Sequence, residues 1–245
     1  MNNKIEELST ILKNSNNIVF FGGAGMPTES GIPDFRSSNG LFNEKLNLTF
    51  TPEQLVSHSF YMRYPEEFFN FYKAKLIYPN AKPNPGHIAL AKLEKIGKLK
   101  AIVTQNIDGL HQTAGSKNVF ELHGSICRNY CVKCHEFYDE NFILESMGVP
   151  TCTKCGGSVK PDVVLYEEGL DDNVIRGAVS AIANADTLII GGTSLVVYPA
   201  AGLINYFRGN NLILINKSET TADKKANLVI RDNIGKVLSS AVELL

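Results

Sequence analysis

The chain has 245 residues, enough to bury a large core as one domain with an insert or as two unequal domains. Its 24 basic and 25 acidic residues give a net charge of -1, which excludes whole-molecule steering toward nucleic acid or anionic lipid. Five cysteines, four of them in two tight pairs, suit a metal site in a reducing compartment better than a disulfide framework.

The opening stretch, MNNKIEELSTILKNSNN, scatters its charges and lacks the apolar core of a signal peptide, and no later run approaches the ~18 apolar residues of a membrane span. A soluble cytoplasmic protein with no membrane partner is expected. NIVFF at 17–21 reads as a buried strand. It runs into Gly22-Gly23-Ala24-Gly25 and then a polar stretch where a helix should begin. Such a turn is either a tight connection or a cradle whose bare N–H groups receive a pyrophosphate, and the full G-x-G-x-x-G spacing is absent. Residues 37–83 carry an aromatic-rich helical pattern, FYMRYPEEFFNFYKAKL, without a strand.

NPGHIALAKLEKIG at 84–97 reads as a helix and KAIVT at 100–104 as a strand. Just beyond it lie Gln105, Asn106 and Asp108, where ligands bind in open α/β sheets, unless Asp108-Gly109 is only the hinge of an Asx-rich turn. NVFEL at 118–122 reads as the next strand. His123 stands at its end, either as a structural residue or as a proton-transfer group.

Cys131-x2-Cys134 and Cys152-x2-Cys155, with seventeen residues between the pairs, have the spacing of a four-thiolate zinc site. Four thiolates leave the ion no open position, so the zinc is expected to hold the insert together and do no chemistry. Cys127 is expected to be a small core residue. Residues 126–160 carry only Arg128, Lys133, Lys154 and Lys160 against four acids, too few for a zinc knuckle that grips nucleic acid.

DVVLY at 162–166, TLIIGG at 187–192, LILIN at 212–216 and NLVI at 227–230 read as further strands, and 171–185, 198–209 and 232–245 as helices. The strand at 187–192 runs into Thr193 and Ser194, a second small-residue turn. The strand at 212–216 ends in Asn216, where a nicotinamide dehydrogenase would carry a ribose-binding acid. The alternation predicts an α/β fold: a Rossmann-like parallel sheet with helices on both faces, plus a smaller inserted domain containing a zinc-binding module and a helical segment. Residues 1–36, 84–125 and 160–245 would form the large domain, and 37–83 with 126–159 the small one.

GAGMPTESGIPDFR, TQNIDGLH, ELHGS, the paired cysteines, GTSLVVYPAA and LILINK occur in the order and spacing of the sirtuins, which the chain resembles over practically its whole length. The resemblance implies an NAD-dependent protein lysine deacetylase acting on acetylated lysine side chains of proteins, without nucleic acid. It implies that Ala24, Thr28, Phe35, Arg36, Gln105, Ile107, Asp108, His123, Thr193, Ser194, Asn216 and Ile234 line the NAD pocket. His123 would be the base, Asn106 the ribose-orienting partner, and Asp108 a nicotinamide contact. A substrate peptide would add as a strand between Val163, Val164, Leu165 and Tyr166 on one side and Leu195, Val196 and Val197 on the other. LYEEG departs from the family's more frequent Phe-Gly-Glu. Tyr72-x-x-Lys75 is the nearest match to the Tyr-x-x-Arg pair of members that take acidic acyl groups, so uncharged acyl groups are expected here.

Overall fold

The computed structural model describes residues 2–34 and 50–245. Phe35 and Arg36 lie outside them. The chain opens with helix α1 (Asn2–Asn14) and strand β1 (Ile18–Gly22), followed by a 3-10 turn over Pro27–Ser30 in place of the expected helix. Short helices α2 (Pro52–Leu55), α3 (His58–Arg63) and α4 (Pro65–Lys75) make up the aromatic-rich insert. Then come α5 (Pro85–Lys95), β2 (Leu99–Thr104), α6 (Leu110–Thr113), β3 (Val119–Glu121), β4 (Gly124–Cys131), β5 (Phe137–Tyr138) and α7 (Glu140–Glu145). The remainder comprises β6 (Val159–Val163), α8 (Asp172–Asn184), β7 (Thr187–Gly191), β8 (Asn211–Ile215), β9 (Leu228–Ile230) and α9 (Ile234–Glu243).

Among the described residues, six parallel strands form one sheet in the order β3-β2-β1-β7-β8-β9. Burial on both faces explains the near-continuous apolar runs. In β1, Ile18 and Phe20 enter a core shared with α1, α5 and α9, while Val19 and Phe21 enter the opposite core beneath α8. Ile213 and Ile215 of β8 take the first side and Leu214 the second. Asn84 fixes the start of α5, accepting from the N–H groups of Gly86 (2.9 Å) and His87 (3.4 Å), with Pro85 at the first helical position.

Two differences from the expected elements have physical reasons, and one residue lies elsewhere than expected. The strand expected at 162–166 lies at Val159–Val163 and pairs antiparallel with β4 in a three-stranded sheet, β5-β4-β6. Gly124 makes this return possible: it sits at φ +73°, and a side chain there would collide with the Asp162 carbonyl. The helix expected at 198–209 is a 3-10 helix over Ala200–Tyr206. Its buried residues Ala200, Ala201 and Leu203 form a narrow stripe that tighter winding presents, and Gly202 weakens the α alternative. Cys127, expected in the core, is exposed. The insert helices and the small sheet share one core, in which Tyr72 stacks on Phe68 at 5.6 Å and is fully buried.

Candidate functional site

The chain leaves β1 for one edge of the large sheet and reaches the other edge through β7, so the order reverses between these two neighbours. Sheets of this kind bind ligands in the crevice at such a switch point, outside the carboxyl ends of the strands. The two glycine turns close on each other there: Gly23 N–H donates to Gly191 O at 3.2 Å and Gly25 N–H to Gly192 O at 2.7 Å. A side chain on Gly25 would stand 2.7 Å from Gly192 Cα, and one on Gly192, at φ +59°, 2.6 Å from Met26 N. These glycines are therefore required first by the contact between two backbones. Ala24 and Thr28 are partly exposed beside that contact, with Thr28 Oγ1 donating to Gly25 O at 2.9 Å.

Gln105, Asn106 and Asp108 leave β2 into the same crevice. Gln105 N–H extends the sheet by donating to Gly22 O (3.0 Å), and its side-chain Nε2 donates to Thr193 Oγ1 at 3.1 Å. Asn106 is buried; its N–H donates to Thr104 Oγ1 (3.0 Å) and its Nδ2 to Gly23 O (3.0 Å). Its amide is thus spent on holding the glycine turn. Ile107 is partly buried, and its carbonyl accepts from Ile126 N–H at 2.9 Å. Asp108 accepts from Leu110 N–H at 2.8 Å, yet burial outweighs that bond and pushes its carboxyl up to about 6.

His123 is partly buried, and its Nδ1 lies 2.9 Å from Gln105 O. A carbonyl only accepts, so Nδ1 carries the proton and the neutral ring keeps Nε2 unprotonated. Burial lowers the His123 pKa despite that bond, which keeps the ring neutral at pH 7. A chain of bonds thereby runs from His123 to Gln105 to Thr193, tying the ends of β3, β2 and β7.

The outer positions sit less uniformly. Thr193 is buried, and its Oγ1 also accepts from Leu195 N–H at 3.2 Å, while Ser194 is exposed. Asn216 hangs its Nδ2 on Ser218 O (2.9 Å) at the end of β8, with no acid beside it in sequence, as a hydride-transfer enzyme would want. Ile234 is buried in the core under Gly191, with which it is in contact. Two groups escape the motif reading. Asn84 Nδ2 donates to Met26 O (2.8 Å) and Ser30 Oγ (3.1 Å), and Glu29 accepts from Gly235 N–H (2.8 Å). Both fasten the turn after the glycines to helix starts, and only the Asn-Pro-Gly cap signal hints at the first.

Of the two segments expected to hold a peptide, Val163 and Leu165 are buried, Val164 is half-buried, and Tyr166 is exposed. Leu195 is buried at φ +56°, Val196 is exposed and Val197 half-buried. Tyr72 closes its hydroxyl into the small core, where it finds no hydrogen-bond partner among the described residues.

The Sγ atoms of Cys131, Cys134, Cys152 and Cys155 all lie within 4.8 Å of one another, with Cys131–Cys155 at 3.4 Å and Cys134–Cys152 at 3.6 Å. A tetrahedron with zinc–sulfur bonds of about 2.3 Å places its sulfurs roughly 3.8 Å apart, so the cluster fits one zinc ion. Lys133 N–H points to Cys131 Sγ and Lys154 N–H to Cys152 Sγ, each at 3.4 Å, in two equivalent knuckles. The cysteines belong to the small core, where a closed site is structural.

The model of the Sir2 family matches residues 23–199. An NAD-dependent protein deacetylase of Clostridium perfringens is 81% identical over 244 residues, which is 99% of this chain and 100% of that protein. A structure described as bearing on the mechanism and regulation of Sir2 enzymes is 40% identical with a TM-score of 0.88, covering 99% of this chain and 98% of that one. A Sir2–p53 peptide–NAD+ structure is 38% identical with a TM-score of 0.85, covering 98% of both chains.

Proposed function

The chain belongs to the Sir2 family, and from that premise we propose that the crevice is where it removes acetyl groups from lysine side chains of proteins. The enzyme is an NAD-dependent protein deacetylase: it transfers the acetyl group from acetyl-lysine to ADP-ribose and releases nicotinamide, O-acetyl-ADP-ribose and the free lysine. NAD supplies the acyl acceptor and the bond whose cleavage drives the transfer. The residues present fit it, since the two small-residue turns meet at the switch point with Ala24, Thr28 and Ser194 accessible beside their contact, and no acid ends β8 as a hydride-transfer enzyme would want.

The observation that carries the residue assignment is the bond from His123 Nδ1 to Gln105 O at 2.9 Å. It leaves Nε2 of a neutral imidazole as the proton acceptor for a sugar hydroxyl, whose oxygen then attacks the acyl carbon. Asn106 braces the glycine turn, Gln105 and Thr193 join the two sides of the crevice, and Asp108 stands at the nicotinamide end. Phe35 and Arg36 remain part of this proposal from the resemblance alone.

Acetylated lysines of proteins are the partners. A cytoplasmic location, in keeping with four reduced thiolates, and action without nucleic acid belong to the same reading. No helix among the described residues is long and apolar enough to cross a membrane. The two-domain division is kept in the proposal with one shift, because residues 159–163 pair with β4.

His123→Ala tests the assignment. Deacetylation should fall by the ~10²–10⁴ typical of a lost general base. Exchange of labelled nicotinamide into NAD, measured with acetylated peptide present, should fall much less, since the base is needed only after nicotinamide has left. Equal loss of both would remove His123 from that role.

A further inference from the structure

Glu29 is an acid on the turn beside which an anionic cofactor would lie, and by charge alone it opposes that cofactor. Its geometry gives it another task. Glu29 Oε1 accepts from the N–H of Gly235, 206 residues away in sequence and in the first turn of α9, at 2.8 Å. Asn233 stands at the capping position of α9 but makes no side-chain cap bond there. The carboxylate of the turn supplies the cap in its place, where the helix dipole favours a negative group. The fit is close: a side chain on Gly235 would stand 2.8 Å from Glu29 Oε2, and one on Gly86 2.9 Å from Gly235 Cα.

The bond closes a ring around the switch point. On one side the two glycine turns meet backbone to backbone, Gly23 on Gly191 and Gly25 on Gly192. On the other, Glu29 joins the turn to Gly235, and the neighbouring Ile234 lies against Gly191 at the end of β7. Met26 is buried and Asn84 holds its carbonyl and Ser30, so the turn is already fixed to α5; Glu29 adds the tie to α9. Thr28 and Ile234, both assigned to the NAD pocket, each stand one residue from this bond. We propose that Glu29 is a positioning residue for NAD, whose bond to Gly235 sets the spacing between the turn bearing Thr28 and the start of α9 bearing Ile234. Without it, binding must also order the turn against α9, which lowers affinity and leaves the chemistry of the bound cofactor unchanged. The inference rests on the NAD reading of the crevice and adds to it a residue that acts through others.

The test compares Glu29→Ala, Glu29→Asp and Glu29→Gln in the full-length protein, by steady-state kinetics and by calorimetric titration with ADP-ribose. Gln keeps the accepting oxygen and drops the charge, whereas Asp keeps the charge and falls one methylene short of Gly235. The KM for NAD and the Kd for ADP-ribose should rise about fivefold to tenfold in the Ala and Asp variants, as for one lost charge-assisted bond, and stay within about threefold in Gln. The KM for acetylated peptide and kcat should stay within about twofold in all three, since neither depends on the spacing of the NAD walls. An acid acting by charge alone gives another order, with Ala and Gln binding ADP-ribose more tightly and Asp unchanged. A merely structural cap lowers the thermal midpoint at unchanged KM for NAD. Either result overturns the proposal, and if Glu29→Ala does not fold, the contrast between Asp and Gln decides it. A wild-type protein that binds no ADP-ribose would sink the NAD reading and the positioning role with it. Amide hydrogen exchange at the start of α9, faster in Glu29→Ala than in wild type, would then still report whether Glu29 caps the helix.

Discussion

Asp108 carries its carboxyl at a cost. Burial pushes its pKa up to about 6, so the folded chain retains a proton that the unfolded chain, at the usual value of 3.8, has lost. Stability therefore declines as pH rises from about 4 to about 6, and the penalty is constant above that. Asp108→Asn keeps an oxygen to accept from Leu110 N–H and removes the charge. It should stabilise the protein at pH 7.5 by on the order of 1–3 kcal/mol, a gain that shrinks toward pH 4. Nicotinamide exchange and deacetylation should fall together. Urea unfolding at the two pH values checks the first part; a variant less stable at pH 7.5, or fully active, would refute the placement at the nicotinamide end.

At the scale of elements, the small sheet depends on its metal. β4 pairs Cys131 with Val159 of β6, Thr151 beside Cys152 bridges Ser158 just before β6, and Tyr138 of β5 sends its hydroxyl to Cys152 Sγ at 3.2 Å. The protein should contain about one zinc per chain, and a serine at any of the four cysteines should unfold the small sheet and lower activity through stability. Zinc content measured beside far-ultraviolet dichroism decides this, and a folded, zinc-loaded serine variant without activity would contradict a purely structural role. The elements were unequally legible. β1, β7 and β8 announce themselves because burial on both faces demands unbroken apolar runs. The run DVVLY reads the same way, yet its sheet is antiparallel, because the return is set by one glycine's backbone and not by side-chain pattern. α1 is visible afterwards in the spacing of Ile5, Leu8 and Leu12, a pattern that charges on the other face dilute. The turn with Gly25 reads as either a tight connection or a phosphate cradle, and only the fold reveals that it and the turn with Gly192 leave room for each other.

For the molecule as a whole, two fully enclosed histidines set the response to acid. His87 and His111 face each other with ring centroids 4.8 Å apart, and burial lowers their pKa to about 4 and about 3. Between pH 6.5 and 4 the unfolded chain binds protons that these two refuse, so stability falls as pH falls; Asp108 opposes them with a single site. The urea midpoint should drop from pH 7.5 to pH 5, and His111→Leu should flatten the drop; an equally steep variant would place the acid sensitivity elsewhere. His111 follows Asp108 by three residues, and α5, which bears His87, is fastened to the turn after the glycines through Asn84, so both histidines are linked to elements that would form the NAD crevice. That crevice is the central claim, and its most direct test is product accounting by mass spectrometry on one acetylated peptide. The account predicts that each lysine freed is matched by one nicotinamide and one acetylated ADP-ribose, with no reaction when NAD is left out. Acetate released without NAD, or reduced cofactor accumulating in place of nicotinamide, would contradict it.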